Sequence, residues 1–385
     1  MIRKPLNTII VKTTGSQCNL SCSYCFYLRK ELQYSNQGVM DEKILEIFIS
    51  QLMEQSASTF GIVWQGGEPS LAGAGFFKKA ISLMQEYGKG KNKTISNLLQ
   101  TNGYSLTDEI IEVLSAYSFL TGLSLDGTED IHDFYRKTAN GKGSWKQVMR
   151  SWEKLTARNI ATNILCCVTS VSASQAEKIY LFYKQHQMLW LQFIPVCETD
   201  DKGEITDFSV SPEDWGLFMC KIFDLWYDDF MANRQAPNIR FIENAFQAHL
   251  GMNASECTFA KNCGSYLVLE HNGDVFSCDY RVDSNTRLGN INENRLTDML
   301  NSPQQHGFGN EKSNTAADCN TCHWKRFCYG GCPRYRNKIT HAYYYCNSWK
   351  KFLIHSESRL IELAGNFRQN NPHFSGGTLD LSGYF

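Results

Sequence analysis

The stretch NTIIVKTTGSQCNLSCSYCFY, residues 7–27, decides how the rest of the chain is read. Residues 7–13 form a short apolar run rich in β-branched side chains, as a strand buried on both faces does. Directly after it come Cys18, Cys22 and Cys25, spaced by three and then two residues. Three thiolates on one tight loop can hold three irons of a 4Fe–4S cube. The fourth iron then lacks a protein ligand and stays open to a substrate or cosubstrate. On spacing alone, a zinc ion that borrows a fourth ligand elsewhere is the alternative.

Working outward, the first two thirds of the chain repeat the pattern of that first strand. Residues 60–64, 93–101, 119–125, 161–169 and 189–195 are further strand candidates. Helical periodicity lies between them at 41–54, 108–117 and 172–187, with Ser172 as an expected N-cap. Strands alternating with helices imply parallel βα units with right-handed crossovers. Six units are too few to close an eight-stranded barrel, so the expected fold class is α/β, a partial (β/α)6 TIM-like barrel. In such folds the site gathers at the C-terminal strand ends. Three polar or glycine-rich motifs lie there: Gln65-Gly66-Gly67-Glu68-Pro69, Gln100-Thr101-Asn102-Gly103 and Ser124-Leu125-Asp126-Gly127.

After an aromatic-rich helix from Ser211 to about Ala232 the pattern changes. Residues 266–270 and 275–278, joined by His271-Asn272-Gly273-Asp274, read as a hairpin, followed by loops, short helices and cysteines. The expected domains are 1–235, a cysteine-rich α+β domain over 236–365, and a loose tail over 366–385. The 385 residues carry 38 Lys and Arg against 39 Asp and Glu, a net charge of −1. That balance offers nothing to nucleic acid or an anionic membrane. No segment reaches the ~18–20 apolar residues of a membrane span, and no signal-peptide core is present, so a cytoplasmic protein is expected. Fifteen cysteines in a reducing compartment point to metal or catalysis rather than disulfides.

The segment CNLSCSYCFY resembles the CxxxCxxC signature of radical S-adenosylmethionine (SAM) enzymes, in which an aromatic, here Tyr24, precedes the last cysteine. The resemblance implies that the open iron chelates SAM and that its reductive cleavage yields a 5′-deoxyadenosyl radical. Likewise WQGGEP resembles the GGE motif that holds the methionyl amino group, which assigns Gly67 to SAM binding. Ser124, and Arg136 in HDFYRK, match positions that contact the SAM ribose and carboxylate; arginine pairs bidentately with carboxylates. Cys197, ending LQFIPVC, matches an adenine-contacting position, with a side chain that departs from the family's backbone contact.

A second cysteine group contains Cys257, Cys263, Cys278, Cys319, Cys322, Cys328, Cys332 and Cys346. Eight thiolates fill two four-ligand sites, iron–sulfur or structural zinc. The CxxC-x5-C-x3-C element resembles the SPASM domain of radical SAM enzymes that modify peptides and proteins. That resemblance implies two auxiliary 4Fe–4S clusters, three clusters in all. Cys257, Cys263, Cys278 and Cys332 would hold one, and Cys319, Cys322, Cys328 and Cys346 the other. Four cysteines remain, of which Cys166 and Cys167 lie in an apolar strand and read as core.

Along nearly its whole length the chain is similar to the anaerobic sulfatase-maturating enzymes, through QGGEPSLAG, LQTNG, GLSLDG, NILCCVTS, FDLWYDDF and RLGNI. This implies oxidation of a sulfatase cysteine or serine to Cα-formylglycine. The substrate would bind in extended form, and a low-potential donor such as flavodoxin or ferredoxin would supply electrons. Asp279 in FSCDYRV matches the catalytic aspartate, a base for the substrate thiol or hydroxyl. Tyr27, Gln65 and Tyr280 are weaker candidates for substrate contact. The alternative is a radical SAM maturase that builds thioether or carbon–carbon links in another protein or ribosomal peptide. The 17 residues ahead of Cys18 leave little room for the leader-recognition module many of those carry.

Overall fold

A computed structural model describes residues 3–27, 38–371 and 373 of the chain. Among the described residues ten strands run in chain order: β1 Leu6–Lys12, β2 Ser56–Gln65, β3 Thr94–Thr101, β4 Leu120–Ser124, β5 Thr162–Val168, β6 Trp190–Pro195, β7 Asn238–Ile239, β8 Leu267–Glu270, β9 Asp274–Phe276 and β10 Arg287–Asn290. The helices used below are α1 Glu42–Gln55, α2 Gly73–Gly88, α3 Asp108–Ala116, α4 Glu129–Tyr135, α5 Trp145–Ala157, α6 Ala176–Gln185, α7 Pro212–Met231, α8 Arg240–His249 and α9 Cys346–Asn370. Strands β1 to β6 alternate with helices, as the periodicity predicts.

By contacts the chain groups into two compact units, each drawing on both sides of residues 233–240. One comprises 1–125, 132–163 and 264–309; the other comprises 126–131, 164–263 and 310–385. In the first unit the strand order is β10-β9-β8-β1-β2-β3-β4. β1, β2, β3 and β4 pair in parallel, and β8 pairs parallel to β1 on its other edge. The register sets Lys12 opposite both Gln65 and Glu270, so β1, β2 and β8 end level with one another. The expected hairpin is present as the antiparallel pair β8–β9, with Gly273 at φ +89° completing its turn. Helix α1 forms where periodicity predicts it. Asp41 caps it by accepting from the Ile44 N–H at 2.8 Å, and Ile44, Leu45, Phe48, Ile49 and Leu52 are buried.

In the second unit β5, β6 and β7 pair in parallel. Cys166 is buried, as read from the sequence, and Cys167 is half-buried. Ser172 is not the side-chain cap expected: its hydroxyl accepts from the Thr169 N–H at 2.8 Å, and a short 3-10 turn precedes α6. Helix α9 runs on to Asn370 with Phe367 buried, past the expected onset of a loose tail at 366. Residues 372 and 374–385 of that expected tail lie outside the described residues. Among the described residues no helix is long and apolar enough to cross a membrane.

Candidate active site

The cysteine triplet occupies the loop that leaves the C-terminal end of β1. Gly67, just past the end of β2, touches that loop directly. Its N–H donates to the Gly15 carbonyl at 2.8 Å, and the Glu68 N–H donates to the Gln17 carbonyl at 2.9 Å. A Cβ on Gly67 would stand 2.1 Å from the Gln17 carbonyl oxygen. Glycine is therefore demanded here by the approach of two backbones, immediately before Cys18.

Glu68 is wholly buried and anchors the next strand end. Its carboxylate accepts from the Asn102 N–H at 2.6 Å, the Thr101 hydroxyl at 2.7 Å and the Ser70 N–H at 3.0 Å. Burial raises its pKa, and these donors oppose the rise. Asn102 in turn reaches the triplet: its amide nitrogen donates to Asn19 Oδ1 at 2.8 Å and lies 3.5 Å from the Cys18 sulfur.

The other side of the loop rests on residues 135–137. The Ser21 N–H donates to the Lys137 carbonyl at 2.7 Å, and the Ser23 N–H to that of Tyr135 at 3.3 Å. Tyr24 meets Tyr135 edge-on, and the Arg136 guanidinium lies 5.5 Å from the Tyr24 ring centre. The structure thus brings Tyr24, Gly67 and Arg136 together around the triplet. Ser124 ends β4, where its hydroxyl accepts from the Gln100 amide at 3.3 Å.

Asp279 belongs to the same unit. Its carboxylate forms an ion pair with Lys12, whose side chain is fully buried. The Lys12 ammonium lies 4.6 Å from the centre of the Tyr27 ring, and the Tyr27 hydroxyl donates to Glu270 at 3.3 Å. Burial, then the negative charges of Glu270 and Asp279, raise the Tyr27 phenol well above its ordinary pKa, so it remains a hydrogen-bond donor. Phe26 and Tyr280 pack with ring centres 4.9 Å apart, so the triplet loop and the Cys278–Tyr280 loop are neighbours. Gln65 stands opposite Lys12 in the sheet register. Lys12 and Glu270 were not singled out in the sequence. The available signal was a charged residue closing each of two otherwise apolar strands.

In the second unit Cys319, Cys322, Cys328 and Cys346 line one cavity of about 270 Å³, together with Trp324, Lys325, Tyr343 and Lys350. Burial raises the Cys328 thiol to about 11, and Cys346, Cys319 and Cys322 add to the rise. Cys18 behaves alike: burial, with Glu68 and Cys25 adding, raises it to about 11. A cationic centre among such thiols favours their deprotonation. Among the described residues no three His, Cys, Asp or Glu converge as a single-ion site. Four cysteines around one cavity are a donor set of the kind that holds an iron–sulfur cluster or a zinc ion. Cys257, Cys263 and Cys332 lie in this second unit, and Cys278 in the first, where its sulfur is 3.8 Å from the Tyr266 hydroxyl. Cys197 is buried in the second unit; burial raises its thiol to about 11, while a bond from Tyr345 opposes this.

The radical SAM superfamily model matches residues 13–182, and the model of the SPASM iron–sulfur cluster-binding domain matches residues 257–323. The cysteine-type anaerobic sulfatase-maturating enzyme of Clostridium perfringens is 33% identical over 372 residues, 94% of this chain and 100% of that protein. The chain belongs to the anaerobic sulfatase-maturating enzyme family. The serine-type member from Bacteroides thetaiotaomicron is 36% identical over 352 residues, 86% of this chain and 84% of that protein. A solved structure, native anSMEcpe with bound AdoMet and the Cp18Cys peptide, matches with a TM-score of 0.87 at 32% identity, covering 94% of this chain and 100% of that one. The chain is therefore a radical SAM enzyme of this family, with the 4Fe–4S and SAM chemistry that defines the superfamily and further iron–sulfur binding in its SPASM region.

Proposed function

We propose that this enzyme oxidises a cysteine or serine side chain of a sulfatase to Cα-formylglycine, without oxygen. Cys18, Cys22 and Cys25 hold the cluster that binds SAM, and Tyr24, Gly67, Ser124, Arg136 and Cys197 form the SAM site. When bound, that pair supplies a radical able to remove a hydrogen from the substrate Cβ. Asp279, held in place by Lys12 at the end of β1, takes the thiol or hydroxyl proton; the remaining electron would pass to an auxiliary cluster, and the thioaldehyde left from cysteine would be hydrolysed by water with release of sulfide. Cys257, Cys263, Cys278 and Cys332 hold one auxiliary cluster and Cys319, Cys322, Cys328 and Cys346 the other, so three 4Fe–4S clusters serve one chain. Residues 1–235 act as the radical core and 236–365 as the cysteine-rich domain. The substrate enters as an extended segment, and a flavodoxin- or ferredoxin-like donor supplies low-potential electrons in the cytoplasm.

The observation that supports this reading best is the pairing of Asp279 with Lys12 on a loop packed against the triplet loop through Phe26 and Tyr280. A proton acceptor beside a SAM-cluster loop is what side-chain oxidation requires. The test is anaerobic incubation with SAM, dithionite and a sulfatase peptide containing Cys-x-Pro-x-Arg, read by mass. Loss of two hydrogens with exchange of sulfur for oxygen is the expected result. Deoxyadenosine release with an unchanged peptide would assign the enzyme another substrate.

A further inference from the structure

Lys312 and Arg336 are cations that the reading above does not use. Lys312 is 1% exposed, and its ammonium donates to the Cys257 carbonyl at 2.5 Å and the Thr258 carbonyl at 2.8 Å. Arg336 is half-buried, and its guanidinium donates to the carbonyls of Gly330, Lys312, Asn314, Tyr329 and Gly331 at 2.7–3.0 Å. Carbonyls satisfy N–H groups without balancing a charge. Among the described residues neither cation forms an ion pair with an Asp or Glu. Burial lowers both pKa values, and the groups that oppose this are cysteines: Cys263, Cys257 and Cys332 for Lys312, and Cys332, Cys263, Cys319 and Cys328 for Arg336.

A neutral thiol cannot balance a buried ammonium, whereas a thiolate-ligated iron–sulfur cluster, being net negative, can. We propose that Lys312 and Arg336 are the built-in counter-charge of the cluster bound by Cys257, Cys263 and Cys332, and that they raise its reduction potential. The reduced cluster carries one more negative charge than the oxidised one, so cations fixed beside it favour reduction. Lys312 is the one of the two that touches a cysteine of this set, through the Cys257 carbonyl.

This inference rests on the reading that these cysteines bind a cluster. Wild-type protein reconstituted without iron and acid-labile sulfide beyond one cluster would sink that reading separately. The test is an EPR-monitored redox titration of the full-length reconstituted enzyme without substrate. Lys312→Gln keeps a donor for the Cys257 carbonyl and removes the charge; Lys312→Arg keeps the charge. The first should lower one cluster's midpoint by at least a tenfold change in its one-electron equilibrium, about 59 mV, and the second should stay within threefold of wild type. A fully loaded Lys312→Gln enzyme with unchanged midpoints overturns the proposal. If Lys312→Gln fails to load, loading of Lys312→Arg at the wild-type potential upholds the need for charge. Failure of both assigns Lys312 to the shape of its turn and overturns the proposal.

Discussion

The ammonium of Lys12, the last residue of β1, is ion-paired with the carboxylate of Asp279 in the loop after β9. A loop carboxylate is thereby tied to a strand paired on both of its edges, by β2 and β8. Breaking such a pair on one side leaves a charge stranded in a poor solvent. Asp279→Asn should cost about 3 kcal/mol of stability, and Lys12→Met combined with it should recover at least half of that loss. Denaturant titration of the three variants under anaerobic conditions checks the cycle.

The same carboxylate gives a catalytic prediction. Asp279→Ala should still cleave SAM to deoxyadenosine while formylglycine formation falls by about a hundredfold or more. Counting both products in one reaction decides it, and full turnover by that variant removes Asp279 from the role of base.

Gly67→Ala places a methyl group 2.1 Å from the Gln17 carbonyl oxygen, and both partners are backbone, so neither can turn aside. The triplet loop must shift. The variant should lose about 1–3 kcal/mol of stability and its SAM-induced change in cluster EPR, while iron bound at the eight later cysteines stays.

Cys346 is the first residue of the 25-residue helix α9 and one of four cysteines around a single cavity. Cys346→Ala should remove the iron of one auxiliary site and leave SAM cleavage intact. Iron analysis beside a deoxyadenosine assay separates that outcome from general unfolding, which would abolish both.

Asp229 supplies a pH dependence. Burial alone would raise its carboxyl pKa, but Lys184, Arg234 at 2.7 Å and Tyr180 at 2.8 Å all donate to it and hold it below the ordinary value. A depressed folded pKa contributes stability above the unfolded carboxylate value and loses it as pH falls. Asp229→Asn should therefore cost about 2 kcal/mol at neutral pH, with the gap to wild type closing below pH ~4. Denaturant midpoints at the two pH values test the sign.

Strands β1 to β6, β8 and β9 were legible because each is a short apolar run with turn residues at its ends; β7, of two residues, and β10, Arg-Leu-Gly-Asn, offer no such run. β2 starts at Ser56, earlier than its apolar part, because its polar lead-in pairs in register with Leu6 of β1 and Thr94 of β3. Helices α2, α4 and α5 went unmarked: α2 opens on Gly73, and α4 is only seven residues long, so neither offers the usual start signals. Ser172 carried a cap signal that its own loop consumed. In the site, Tyr24, Gly67 and Arg136 were visible as parts of local motifs. Lys12 and Glu270 were not, since their partners lie far away in the chain and only the parallel pairing of β1 with β8 brings them level.

That pairing also governs how the molecule is made. β1 leaves the ribosome long before β8, which completes its hydrogen bonding. Until then one flank of β1 is an open edge, the kind of surface on which nascent chains aggregate. Lys12 likewise has no counter-ion until Asp279 is synthesised. A fragment ending near residue 235 should be insoluble for both reasons.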